Sequence, residues 1–109
     1  MSHRINKINS LIKQQISKIL SRELNLKPGI FLTVSKVDTT KDLRYARIFV
    51  SVFPESEANY ALKTLEKESS FLRKNLGREL KIKMLPRLNF KIDTTEAEAD
   101  EIEKILRNL

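Results

Sequence analysis

IFLTVSKVDTTKDLRYARIFVSVF, residues 30–53, is the stretch on which the fold turns. Its first part, residues 30–38, is rich in β-branched and aromatic side chains, which suit a pleated, half-buried strand. Thr39, Thr40, Lys41 and Asp42 form a polar connection, and Tyr45 to Phe53 reads as a second strand. Successive side chains on a strand point to opposite faces. Ala46, Ile48, Val50 and Val52 therefore share one face, and Arg47, Phe49, Ser51 and Phe53 the other. So short a connection predicts an antiparallel hairpin.

Upstream, Ile5, Ile8, Ile12, Ile16, Ile19 and Leu20 recur in steps of three and four, the spacing of an amphipathic helix over about Arg4 to Leu24. At about 100° per residue, Arg4, Lys7, Lys18 and Arg22 fall on one flank of it. Asn25, Lys27, Pro28 and Gly29 end the helix, since proline removes a donor and restricts the residue before it.

Downstream, Pro54 to Ser56 opens a helical stretch. Leu62, Leu65, Phe71 and Leu72 give it apolar contacts, and Ala58 and Ala61 allow close packing. Ser69–Ser70 predicts a kink that splits this stretch into two helices, because serine competes for backbone hydrogen bonds. Gly77 is expected to cap the second of them. Lys81 to Asp93 alternates. Ile82, Met84, Leu88, Phe90 and Ile92 share one parity, and Lys81, Lys83, Arg87, Asn89 and Lys91 the other. A strand with one buried and one basic face is expected, with Pro86 at an edge or a bulge. The expected core includes Leu32, Val34, Ile48, Val50, Met84, Leu88 and Phe90. Thr95 and Glu98 suggest a capping box, and Ile102, Ile105, Leu106 and Leu109 an acidic helix over about 95–108. The whole is an α+β domain over residues 1–109: helix, strand, strand, kinked helix pair, strand, helix. A three-stranded sheet with helices packed on one face accounts for that order.

The chain is long enough for one domain with a core of its own. It has no cysteine, which suits a cytoplasmic protein. Its start lacks the apolar stretch and cleavage site of a signal peptide. No apolar run approaches the roughly 20 residues that span a bilayer, so no membrane association is expected. The net charge is +7, with a pI near 9.8, which favours a polyanionic partner.

That charge is unevenly spread. Residues 1–30 carry six Lys/Arg against one Glu, and residues 81–94 four against one Asp. Residues 31–53 carry four against two, and residues 54–80 five against five. Residues 95–109 reverse the sign, with two against five. A mere surplus for solubility would not need this polarity.

Residues for catalysis are scarce. His3 is the one histidine and lies at a terminus, and there is no cysteine nucleophile. Two glycines, Gly29 and Gly77, cannot make a phosphate-cradling loop. Asp38 and Asp42 could approach a divalent ion, but Asx capping of the hairpin turn is the simpler role. No enzyme activity, cofactor or metal site is expected.

Four short runs, in order and at consistent spacing, resemble the ribosome-binding factor A family, bacterial assembly factors of the small ribosomal subunit. They are Ile19-Leu20-Ser21-Arg22-Glu23-Leu24, Thr33 to Val37 followed by Asp42 to Ser51, Phe71-Leu72-Arg73-Lys74-Asn75-Leu76-Gly77, and Pro86 to Asp93. The resemblance covers nearly the whole chain. It implies a KH-like fold of type II and binding to small-subunit rRNA and free precursor subunits during late maturation. It also implies a part in rRNA 5′-end processing and in growth in the cold. The family often has Ala-x-Gly at the kink between its central helices, where this chain has Glu68-Ser69-Ser70. A carboxylate there disfavours phosphate, so the contacts are expected on three basic groups instead. These are Arg4, Lys7, Lys18 and Arg22; then Arg73, Lys74 and Arg78; then Lys81, Lys83, Arg87 and Lys91. With no tryptophan and two tyrosines, aromatic stacking is expected to be minor. A monomer that does not bind DNA is expected. The alternative is an adaptor whose basic faces meet an acidic protein on the ribosome.

Overall fold

The structure, a computed structural model, describes residues 3–82 and 84–94. Helix α1 (His3–Glu23) leads into strand β1 (Phe31–Thr39) and strand β2 (Tyr45–Phe53). A 3-10 turn (Glu55–Glu57), helix α2 (Ala58–Lys67), helix α3 (Ser69–Leu80) and strand β3 (Arg87–Ile92) follow. The sheet order is β1-β2-β3. β1 and β2 pair antiparallel as the expected hairpin. β2 and β3 pair parallel, because the α2–α3 crossover returns the chain to the end from which β2 began. The acidic helix expected over about 95–108 lies outside the described residues.

The hairpin turn is built by Asp42. Its Oδ1 accepts hydrogen bonds from Thr40 Oγ1 at 2.7 Å and from the Arg44 amide at 3.1 Å. These hydrogen bonds, the Thr40 hydroxyl first, hold the Asp42 carboxyl below its ordinary pKa. Asp38 does not cap the turn; it pairs with Arg47 across the hairpin.

The described helices all lie on one face of the sheet. Ala46, Ile48, Val50 and Val52 point from β2 into the core, and Ile12, Ile16 and Ile19 meet them from α1. α1 packs on β1 and α3, and α2 on β2 and β3. A bulge between Val34 and Lys36 lets Val34 and Val37 both face inward, which strict alternation would forbid. The break between α2 and α3 falls at Glu68, one residue before the serine pair, and Ser69 and Ser70 already belong to the first turn of α3.

The largest departure from the alternating pattern is at residues 81–86. β3 starts only at Arg87. Lys81 ends α3 in the left-handed conformation, φ 53°, and neither Ile82 nor residues 84–86 belong to a strand. Met84, of core parity, is 70% exposed, and Ile82 is exposed as well. Leu85, of the opposite parity, packs against the core instead. Leu32 and Leu88 are half-buried, whereas Val34, Ile48, Val50 and Phe90 are buried as expected. Pro86 is buried just before β3, where no ladder donor is lost. Gly77 is no cap; it lies inside α3, and a Cβ there would sit 3.2 Å from Leu85 Cδ2. The left-handed position at Lys81 costs a residue with a Cβ about 1–2 kcal/mol. Glycine avoids that cost but loses more entropy on folding. Lys81→Gly is therefore expected to stabilise by about 0.5–1 kcal/mol, a rise of a few degrees in a thermal melt.

Candidate nucleic-acid interface

The sheet divides the expected basic groups between two surfaces. On the helix layer, Arg4, Lys7, Lys18 and Arg22 are all exposed along α1. α3 packs beside α1 and exposes Lys74 and Arg78. Arg22 pairs with its neighbour Glu23 at 3.0 Å, an exposed pair of small energetic weight. The helix layer thus joins the first group to two members of the second.

Arg73 is different. Its Nε donates to the Pro86 carbonyl at 3.0 Å and its Nη2 to the Leu85 carbonyl at 2.5 Å. The guanidinium ties α3 to the segment that feeds β3, a structural use that sequence spacing could not reveal.

The third group lies elsewhere. Arg87 and Lys91 project from β3 to the face of the sheet that no described helix covers. Lys81 sits exposed at the end of α3. Lys83 lies outside the described residues. The same open face also presents Lys36 and Arg47, which were not among the expected contacts. The β1–β2–β3 register sets Phe31 opposite Phe53, Lys36 opposite Phe49, Tyr45 opposite Arg87 and Phe49 opposite Lys91. Phe31 (67%), Phe53 (68%) and Tyr45 (50%) are all strongly exposed. Lys36 Nζ stands 5.6 Å from the centroid of the Phe49 ring. The outward residues of β2 were legible from alternation, but whether they met solvent or a helix was not. Among the described residues, no group of three His, Cys, Asp or Glu side chains could hold a metal ion. No described helix is long and apolar enough to cross a membrane.

The family model described as "Ribosome-binding factor A" matches residues 4–106. The chain belongs to the ribosome-binding factor A family. A ribosome-binding factor A from Dictyoglomus thermophilum is 37% identical over 112 residues, covering 100% of this chain and 92% of that protein. One from Natranaerobius thermophilus is 36% identical, covering 97% of this chain and 82% of that protein. The crystal structure of ribosome-binding factor A from Thermus thermophilus superposes with a TM-score of 0.70 at 25% identity, covering 80% of this chain and 93% of the other. A second set of Thermus thermophilus coordinates, a homology model fitted into the cryo-EM map of a 30S–RbfA complex, matches with a TM-score of 0.68 at 28% identity. It covers 79% of this chain and 91% of the other. The α+β, KH-like arrangement is thus the fold of the family.

Proposed function

We propose that the protein binds the small ribosomal subunit in its precursor form, chiefly through rRNA phosphates, and acts late in subunit maturation. The observation that carries this reading is the likeness to the Thermus thermophilus protein fitted into a 30S complex. The exposed cations of α1 and α3 supply the chemistry, because a polyanion is held mainly by neutralised phosphates. The helix layer is the primary contact: Arg4, Lys7, Lys18, Arg22, Lys74 and Arg78 are all exposed on it, and Glu68 lies at the break between α2 and α3. The role in rRNA 5′-end processing is indirect. A bound factor exposes or shields a cleavage site for a separate nuclease, and nothing in that role requires a nucleophile on this chain.

The test is a titration of the protein on purified precursor small subunits at increasing salt. If about five phosphates are neutralised, log K falls with log salt at a slope of roughly −3.5 to −4.5. Binding indifferent to salt, or absent, overturns the proposal.

A further inference from the structure

We propose that the outer edge of β1 takes a short extended polypeptide segment with acidic side chains from a partner protein, laid as a fourth strand in the groove between β1 and α1.

The register shows which backbone groups of β1 are left for it. The Arg44 carbonyl accepts from the Arg87 amide, and the Val50 carbonyl from the Asp93 amide, at 2.8 Å each. Even-numbered residues of β2 thus bond towards β3, and odd-numbered ones towards β1. The β1 partners of the odd set are Phe31, Thr33, Lys36 and Asp38. Leu32, Val34, Val37 and Thr39 therefore turn their amides and carbonyls outward. The Thr39 amide is taken up by Asn9 Oδ1 of α1 at 3.0 Å, and the bulge at Ser35 interrupts the edge before Val37. Both are devices that keep a free edge from pairing. The stretch from Phe31 to Val34 has neither. Among the described residues, the outward groups of Leu32 and Val34 make no hydrogen bond.

The groove supplies the room. Ser17, Leu20, Ser21 and Leu24 of α1 line a hollow of about 530 Å³ together with Leu32 and Val34. A strand pairs with its neighbour at about 4.8 Å and rises about 3.3 Å per residue, so four residues cover the free stretch in about 13 Å. Main-chain hydrogen bonds hold an added strand of this kind, and the hollow beside it accepts alternate side chains. Leu20 and Leu24 call for apolar ones.

Charge selects the occupant. Lys13 lies one turn before Ser17 on the same ridge of α1, and its carbonyl accepts from the Ser17 hydroxyl at 2.6 Å. Lys36 follows just past the bulge. Both are exposed, and neither is in an ion pair among the described residues. Lys27, on the rim, pairs with Glu57 at 3.2 Å, and Asp38 is engaged by Arg47. The uncompensated charge beside the groove is positive and calls for carboxylates on the incoming strand. A second copy of the chain is the poorer occupant. Residues 1–30 carry six Lys/Arg against one Glu, and pairing two β1 edges would set these like charges against each other. Lys18 and Arg22 come one position after Ser17 and Ser21, about 100° round α1. RNA on that flank leaves the groove open, so the docking does not depend on the function proposed above.

Hydrogen exchange on the isotope-enriched full chain tests this, with a synthetic five-residue peptide of alternating glutamate and valine, blocked at both ends, as the probe. In the free protein the amides of Leu32 and Val34 are expected to exchange at least about tenfold faster than that of Thr33, which bonds to β2. Saturating peptide should slow them by about tenfold or more and shift the signals of Ser21 and Leu24, with Lys18 and Arg22 little changed. The counterpart with lysine in place of glutamate should bind several-fold more weakly. Valines placed against α1 pair with Leu32 and Val34, whose side chains share that face. N-methylation of the valine amides should therefore abolish binding, and N-methylation of the glutamate amides should not. Leu32→Pro removes the outward donor without removing a bond to β2 and should lose the peptide, whereas Leu32→Val should keep it. If the proline variant does not fold, the two N-methylated peptides decide from the other side. Leu32 and Val34 amides as slow as Thr33 in the free protein overturn the proposal, because the chain itself would then occupy the edge. So does an unchanged exchange rate at millimolar peptide, or equal binding of the lysine peptide. Protection that grows with protein concentration alone overturns it in favour of self-association, and protection by precursor RNA but not by peptide gives the groove to RNA.

Discussion

Reversal of Lys18, Arg22, Lys74 and Arg78 together to Glu is expected to weaken binding to precursor small subunits by on the order of 100- to 1,000-fold at 0.1 M salt. The magnitude follows from counterion release. Each neutralised phosphate contributes about 0.7–0.9 to the salt slope, so four lost contacts remove roughly 3 units of it. At 0.1 M, one unit of slope corresponds to about a decade of affinity relative to 1 M. The variant should therefore bind both weakly and with a flattened salt dependence, and the titration reads both. All four side chains are exposed, so the fold should survive, which far-UV circular dichroism checks. Arg73 is left out by design. Its loss would release two backbone carbonyls near the start of β3, and a binding defect would then be confounded with a folding one. The control is Arg87→Glu with Lys91→Glu on the opposite face, expected to cost much less. If the control loses more affinity than the helix-layer variant, the RNA contact lies on the sheet.

The second large effect is on stability and separates two residues that sequence reasoning ranks the other way. Leu76→Ala should destabilise by about 2–5 kcal/mol, because it empties a fully buried position between α3 and the rest of the core. That is a large share of the roughly 5–15 kcal/mol that holds a domain of this size together. Met84→Ala should cost under about 0.5 kcal/mol, as expected for an exposed site away from special contacts. Denaturant melts of the two variants measure the difference directly. A Met84→Ala loss comparable to that of Leu76→Ala would mean that the alternation of residues 81–93 does continue as a strand.

Much of the protein is legible in the sequence. The apolar stripe of α1, the β1–β2 hairpin and the helix pair all arise from local periodicity, and each segment carries its own pattern whatever packs against it. The turn acid Asp42 was legible too, since an Asx cap is satisfied within a few residues. The four short runs from Ile19 to Asp93 marked the family, because they keep their order and spacing along the chain.

Residues 81–86 show where such reading stops. Their alternation matches that of a strand, but α3 ends in a left-handed residue and Arg73 clamps the following carbonyls, so Leu85 and not Met84 turns inward. Gly77 follows the same rule: its neighbour in space, Leu85, is eight positions away in sequence. The basic groups follow this rule as well. Sequence by itself determined how many cations the chain carries, which segments hold them and which side of each element they take. Only the tertiary structure decided that α1 and α3 share one surface while β3 shows its cations on the other. Periodicity fixes a side chain's direction relative to its own element, whereas the surface it joins is set by the long-range pairing of β3 with β2 and by the helix crossover that brings it there.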